Sequence, residues 1–212
     1  YAHLSYTGYG INSGDSRIGD VDITHSRVEF SGGGIYLRNG QQGSSRVVTD
    51  NVISVGTSGY ALELQLCCGN QESLPNLSRN VITNPQGGGI QVQFAYQGVT
   101  IDSNTIAVKY TALALGYGGG ALAITSNVFE STFPHASGCC GGTGVNIYQS
   151  QATGGPAGAI TSITLQNNTI KQFYTGLYFD GSGQTVLSSV TGNRVENARE
   201  QGMSIYNLQG TV

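Results

Sequence analysis

The segment 77–106, LSRNVITNPQGGGIQVQFAYQGVTIDSNTI, contains the pattern that decides the fold. It begins and ends with copies of one phrase, LSRNVI at 77–82 and IDSNTI at 101–106. In each copy an aliphatic residue is followed by two further residues, an Asn, one residue and an aliphatic. Between the copies stands a second phrase, GIQV at 89–92, whose alternation of aliphatic and other side chains predicts a half-buried strand.

Both phrases recur along the chain. Further copies of the first phrase stand at 48–53, 124–129, 165–170 and 190–195, and a copy at 23–28 has Ser26 in place of Asn. Further copies of the second phrase stand at 34–37, 61–64, 112–115, 144–147, 176–179 and 202–205. We interpret each repeat as two strands, and recurrence of this kind indicates a solenoid whose repeats contact only their neighbours.

The repeats therefore predict an all-β fold, a right-handed parallel β-helix of about seven coils that residues 1–212 form as a single domain. Equivalent strands of neighbouring coils would lie about 4.8 Å apart, and the aliphatic side chains would fill one narrow core. The Asn positions then fall on one line, where each amide can donate to the next. Asn also tolerates the left-handed conformation that a sharp corner needs. The predicted ladder contains Asn51, Asn80, Asn104, Asn127, Asn168 and Asn193.

The two ends of the chain look like partial coils, at 1–17 and 210–212. No amphipathic helix in the sequence would cover either end of the solenoid. Uncapped solenoid ends expose aliphatic edges. We therefore expect a segment of a longer solenoid or of an assembly.

The recurring Asn and Gly phrases resemble those of the pectate-lyase-like superfamily of right-handed parallel β-helices, over nearly the whole chain. The resemblance implies the fold, and in active members it implies work on acidic polysaccharides along the outer face of one sheet. The Asp-rich motifs of the superfamily's galacturonases are missing here, as is the acidic cluster that holds calcium in its pectate lyases. We therefore predict no metal site and no cofactor.

The composition limits the kinds of partner that we expect the chain to bind. The formal net charge is −3, and charged residues make up 10% of the chain, against roughly 25% in typical soluble domains. No basic stripe favours nucleic acid, and no apolar run is long enough to span a bilayer. Polysaccharide or neighbouring copies of the same chain are the expected partners.

The cysteines form two adjacent pairs, Cys67 with Cys68 and Cys139 with Cys140, each in an inserted loop. The pairs fall about three coils apart and at different places in the coil, so a bond between the pairs is hard to form. Free thiols, strained bonds between neighbours and bonds to another chain remain as alternatives.

The outward positions of the second phrase form two columns. Tyr148, Asp180 and Tyr206 fall in one column with Tyr178 beside them, and aromatic rings with a carboxylate can stack on sugars and bond their hydroxyls. The alternative is that Tyr simply favours strands. Arg38 and Glu63 lie in adjacent coils, where Arg38 binds a uronate carboxylate or forms a surface ion pair with Glu63.

Two functions follow from these features. The first is an extracellular or cell-surface structural or adhesive module, such as a shaft or fibre segment, with glycan contacts along the Tyr face. The second is an enzyme, a polysaccharide lyase or glycoside hydrolase acting on an acidic polysaccharide. The missing catalytic motifs favour the first, and no catalytic residue is assigned.

Overall fold

The structure is a computed structural model that describes residues 3–6, 10–13, 19–30, 32–38, 44–66, 74–116, 119–133, 142–148, 160–180, 187–206 and 209–211. These residues contain strands and no helix. The strands are β1 (His3–Tyr6), β2 (Ile11–Asn12), β3 (Val21–Thr24), β4 (Arg27–Phe30), β5 (Ile35–Arg38), β6 (Arg46–Thr49), β7 (Val52–Val55), β8 (Tyr60–Gln65), β9 (Asn76–Ser78), β10 (Val81–Asn84), β11 (Gly88–Gln93), β12 (Gly98–Asp102), β13 (Thr105–Val108), β14 (Leu113–Gly116), β15 (Gly120–Thr125), β16 (Val128–Ser131), β17 (Thr143–Tyr148), β18 (Ile160–Gln166), β19 (Thr169–Lys171), β20 (Thr175–Asp180), β21 (Leu187–Thr191), β22 (Arg194–Glu196), β23 (Gln201–Tyr206) and β24 (Gln209–Thr211).

The strands form three parallel sheets, and each strand pairs with the third strand before it and the third strand after it. Sheet 1 has the order β1-β4-β7-β10-β13-β16-β19-β22, and sheet 2 has the order β2-β5-β8-β11-β14-β17-β20-β23. Sheet 3 contains β3-β6-β9-β12-β15-β18-β21-β24. The chain thus visits the three sheets in turn, and the predicted all-β parallel solenoid is confirmed.

The expectation of two strands per repeat is wrong, because each coil contains three. The first phrase is not one strand but two strands joined at a corner. In the copy at 101–106, Ile101 lies in β12 of sheet 3 and Ile106 lies in β13 of sheet 1. The corner uses only Ser103 and Asn104, so the aliphatic spacing in the sequence does not reveal the change of sheet.

We expected the Asn to adopt the left-handed conformation at the corner. In the structure the residue before the Asn adopts it instead. This row has φ between 49° and 65° and contains His25, Asp50, Arg79, Ser103, Ser126, Asn167 and Gly192. The left-handed residue turns the chain, and the following Asn can then point its side chain inward. Five of the six ladder asparagines are buried, and Asn193 is partly exposed.

The six asparagine side chains form one continuous hydrogen-bonded row between sheets 3 and 1. The Nδ2 of each of the first five donates to the Oδ1 of the next coil's Asn at 2.9–3.0 Å. In a typical rung, Asn104 Nδ2 also donates to the carbonyl of Leu77 at 2.8 Å. Asn104 Oδ1 accepts from the Nδ2 and the backbone N–H of Asn80. Every polar atom of the buried carboxamide is therefore satisfied, as burial requires.

The core consists of aliphatic columns that point inward from the three sheets. In sheet 2 the column Ile35, Leu62, Ile90, Leu113, Val145 and Leu177 is almost completely buried. One charged side chain interrupts the apolar lining of sheet 3. Arg46 takes the place next to Val21, is fully buried, and donates from Nη1 to the carbonyls of Gly19 and Ser45 at 2.8 and 2.9 Å.

We predict that Asn104→Ala lowers the free energy of unfolding by about 2–4 kcal/mol, because it removes the acceptor of two Asn80 donors and a donor to Leu77. Urea denaturation followed by circular dichroism measures the change. Asn193→Ala is the matched control, since its amide is partly exposed and water can replace its partners. Equal losses in the two variants would show that burial of the ladder does not determine its contribution.

Candidate functional site

The outer face of sheet 2 carries the polar and aromatic residues that the sequence singled out, in two columns. The first column contains Asn12, Tyr36, Glu63, Gln91, Ala114, Asn146, Tyr178 and Ser204. The second column contains Arg38, Gln65, Gln93, Gly116, Tyr148, Asp180 and Tyr206. Side chains of neighbouring coils in one column are about 5 Å apart. Ala114 and Gly116 are buried, so they separate an N-terminal part of the face from a C-terminal part.

The C-terminal part of this face forms a group that we call the tyrosine cluster, made of Tyr178, Asp180 and Tyr206. The rings of Tyr178 and Tyr206 lie on adjacent strands, with centroids 5.9 Å apart and planes inclined at 55°. Asp180 is the register partner of Tyr206 on the neighbouring strand. Tyr206 is 49% exposed, whereas Tyr178 and Asp180 are partly buried, so the open aromatic surface of the cluster is the Tyr206 ring.

Tyr148 is in register with Asp180, but its ring turns away from the tyrosine cluster. The ring lies over Gly116 in the preceding coil, where a Cβ on Gly116 would come within 2.5 Å of the phenol carbon. The absence of a side chain at Gly116 therefore creates the space that the ring occupies. Tyr148 is close enough to Tyr60, two coils further back, to contribute to the raised pKa of its phenol.

The N-terminal part of the face contains a chain of side-chain hydrogen bonds across three coils. Arg38 Nε donates to the Tyr36 hydroxyl, and the guanidinium carbon lies 5.0 Å from the centroid of the Tyr36 ring. Tyr36 Oη donates to Gln65 Oε1 at 3.2 Å, and Gln65 Nε2 donates to Gln93 Oε1 at 3.4 Å. Arg38 is therefore held against Tyr36, with its positive charge also acting on Glu63.

Glu63 is the most unusual acid of this face. It is partly buried, and its register partners are Tyr36 on one side and Gln91 on the other. Burial raises the pKa of the Glu63 carboxyl, and the Arg38 guanidinium opposes part of that rise. The carboxyl also borders a cavity of about 190 Å³ at the passage from sheet 1 to sheet 2.

Sequence reasoning missed Tyr60, which forms a wall of the same cavity. Its ring packs against Gly88 of the next coil, and its side chain hydrogen-bonds that of Thr111. Burial and the neighbouring Tyr148 phenol raise the pKa of Tyr60. The signal was its position directly before the Ala61-Leu62-Glu63-Leu64 phrase, at the start of β8.

The other sequence predictions give no second site. The four cysteines, Cys67, Cys68, Cys139 and Cys140, lie outside the described residues. Within the described ranges, no three His, Cys, Asp or Glu side chains converge as metal ligands would. No helix of that part of the chain is long and apolar enough to cross a membrane.

Comparison with protein-family models, curated proteins and solved structures finds no match to this chain. The fold and the outer face of sheet 2 are therefore the basis for any functional proposal.

We predict that Glu63 titrates above the ordinary glutamate value of 4.5, because burial disfavours its charged form. Arg38→Gln raises this pKa further, since it removes the nearby positive charge. Carboxyl NMR across a pH titration measures both. Arg199→Gln, five coils further along the solenoid beside Tyr174, is the control and leaves the Glu63 pKa unchanged.

The raised pKa of Glu63 also makes the free energy of unfolding depend on pH. Because the folded-state pKa of Glu63 is raised, its contribution favours folding below the unfolded-state pKa and is lost as pH rises through the folded-state pKa. Glu63→Gln therefore flattens the pH dependence of the unfolding free energy in this window. A Glu63 resonance that titrates below 4.5 would contradict the prediction.

Proposed function

We propose that this chain is a stiff β-solenoid module of an extracellular or cell-surface protein that binds glycan along the outer face of sheet 2. The module serves a structural or adhesive role, with polysaccharide or neighbouring copies of the chain as partners. The observation that carries the proposal is the tyrosine cluster, in which the exposed Tyr206 ring packs against Tyr178 and is in register with Asp180 on one face.

The chemistry of the tyrosine cluster suits sugars. A tyrosine ring offers an apolar surface to the C–H face of a pyranose, and its hydroxyl can bond the sugar hydroxyls. The carboxylate of Asp180 can accept hydrogen bonds from two neighbouring hydroxyls. Neither interaction requires a closed pocket, so an exposed face can bind a polymer laid across it.

The spacing of the coils also supports a polymeric ligand. Strands recur about every 4.8 Å along the solenoid, a distance close to the length of one sugar unit. In the second column Gln65 and Gln93 occupy successive coils, and Tyr148, Asp180 and Tyr206 occupy three further successive coils. A glycan that runs along the solenoid axis would therefore meet polar or aromatic groups at successive units within each of these two stretches.

The second candidate is a polysaccharide lyase or hydrolase on the same face, and the Glu63 carboxyl is the observation that favours it. Burial raises the pKa of this carboxyl, which is the direction that a general acid or base requires. A hydrolase also needs a second acid nearby, whereas the register partners of Glu63 are Tyr36 and Gln91. Binding without turnover is therefore the better supported function.

We predict that Tyr178→Ala and Tyr206→Ala each weaken binding to a retained glycan by about 3- to 10-fold, because each removes part of the packed aromatic pair. A glycan array selects the ligand, and isothermal titration calorimetry measures the affinity. Tyr110→Ala is the matched control, since Tyr110 is also exposed but lies between sheets 1 and 2.

Unchanged affinity in both cluster variants, or an equal loss in Tyr110→Ala, would contradict binding at the tyrosine cluster. The same samples are incubated with pectate and alginate, and the products are assayed for new reducing ends and unsaturated uronate. Turnover that disappears in Glu63→Gln would favour the enzyme over the binding module.

A further inference from the structure

The cavity beside Glu63 is separate from the tyrosine cluster and has a different chemistry. It lies where β5 and β8 begin, and its walls include the backbone of Gly33 and Gly34 together with Tyr36, Tyr60 and Glu63. A volume of about 190 Å³ is below the usual 300–1,000 Å³ of drug-sized sites, so it accommodates a single sugar unit.

The close approach of two coils shapes this cavity. A Cβ on Gly34 would come within 1.8 Å of the carbonyl oxygen of Ala61, so only glycine lets β5 and β8 pass here. Tyr60 is held in place by its contact with Gly88 and its hydrogen bond with Thr111. Coil stacking therefore fixes the Tyr60 wall, whereas Gly32, Gly33, Thr57 and Gly59 belong to the segments that join β4 to β5 and β7 to β8.

The electrostatics of the cavity favour a positive group. Among the described residues that line the cavity, Glu63 is the acidic one and none is Lys or Arg. The positive charge of Arg38 acts on Glu63, but its guanidinium packs on Tyr36 and Arg38 is not among the described lining residues. Burial of the carboxyl without a counter-charge in the cavity is unfavourable, which is consistent with the raised pKa of Glu63.

We propose that this cavity binds the ammonium group of an amino sugar, with the Glu63 carboxylate as counter-ion and the Tyr60 ring as the wall that the sugar contacts. The inference rests on the proposed function, because the cavity opens on the sheet to which the glycan is assigned. The cavity adds a preference for one type of sugar unit, which the tyrosine cluster does not provide.

Three ligand classes are distinguished by this arrangement. An ammonium gains a charge-assisted hydrogen bond to Glu63 and attraction to an aromatic ring. A neutral hydroxyl gains only the weaker hydrogen bond. A uronate would place its carboxylate next to Glu63, where like charges repel. The cavity therefore selects an amino sugar over its neutral and acidic counterparts.

The test uses glucosamine, glucose, N-acetylglucosamine and galacturonate as probes, with binding measured by NMR chemical-shift perturbation of the full chain. We expect glucosamine to bind about 10-fold or more tightly than the other three, a difference of roughly 1.4 kcal/mol. Glu63→Gln keeps the shape of the side chain and should abolish this preference. Glu130→Gln, an exposed acid on sheet 1, is the matched control and should retain it.

The pH dependence gives a second readout. Glucosamine binding should weaken as pH falls through the raised pKa of Glu63, since the carboxyl then loses its charge. The charged or titratable groups around Glu63 are Arg38 and Tyr36 on β5 and Tyr60 on its own strand. Burial raises the pKa of Tyr60, away from this range, so we expect the Glu63 carboxyl to set the profile.

Several outcomes would overturn the proposal. Equal affinity for glucosamine and glucose would do so, as would a preference that survives in Glu63→Gln. An Nα-acetyl-lysine methylamide that binds more tightly than glucosamine would identify a peptide as the occupant instead. Failure here leaves the proposed function testable, because Tyr178→Ala and Tyr206→Ala are measured on the ligand that the glycan array selects, at a cluster that does not include Glu63.

Discussion

The side-chain amide of each buried asparagine bonds the coil above and the coil below, and this repeated bond sets the register of the whole solenoid. Backbone pairing alone would tolerate a slip between parallel strands, since every N–H and C=O repeats along a strand. A slip at the ladder would leave buried amide atoms without partners, at about 1–3 kcal/mol for each unsatisfied group. The ladder therefore specifies one alignment at the corner between sheets 3 and 1.

Register at that corner determines what stands on sheet 2, on the other side of the core. The inward columns of sheet 2 pack against those of the other sheets, so their alignment follows from the same stacking. The outward columns are fixed as a consequence. With this alignment the Tyr178 ring packs against Tyr206, and the Tyr148 ring lies over Gly116. The Gln65 amide donates a hydrogen bond to Gln93. The periodic core therefore fixes the positions of the side chains on this face, although few of them are polar.

The repeated phrases of the sequence predicted the stacked strands and their outward columns. They did not predict the third strand of each coil or the side chains that depart from the repeat. Both outward columns could be aligned from the phrases, because the spacing of aliphatic residues carries the strand register. The third strand of each coil was hidden, since a two-residue corner leaves the aliphatic spacing undisturbed. Arg46 in an inward column and the turned ring of Tyr148 depend on space left by other coils. Contacts of that kind have no local signature in the sequence.

The acids of this scaffold show how local surroundings separate structural from functional groups. Asp50 lies on the corner row, where two hydrogen bonds of 2.7 Å from Arg79 lower its pKa. Asp20 is likewise lowered, by hydrogen bonds from the backbone and side chain of Ser45. In both cases a residue of the neighbouring coil stabilises the charged carboxylate, so these two acids hold adjacent coils together. Glu63 is in the opposite situation, because burial raises its pKa and the Arg38 charge compensates only part of that cost. An acid that the fold leaves under-compensated beside a cavity is poised to gain a partner from outside the chain. That contrast, rather than the number of acids, is what makes Glu63 a candidate for ligand recognition.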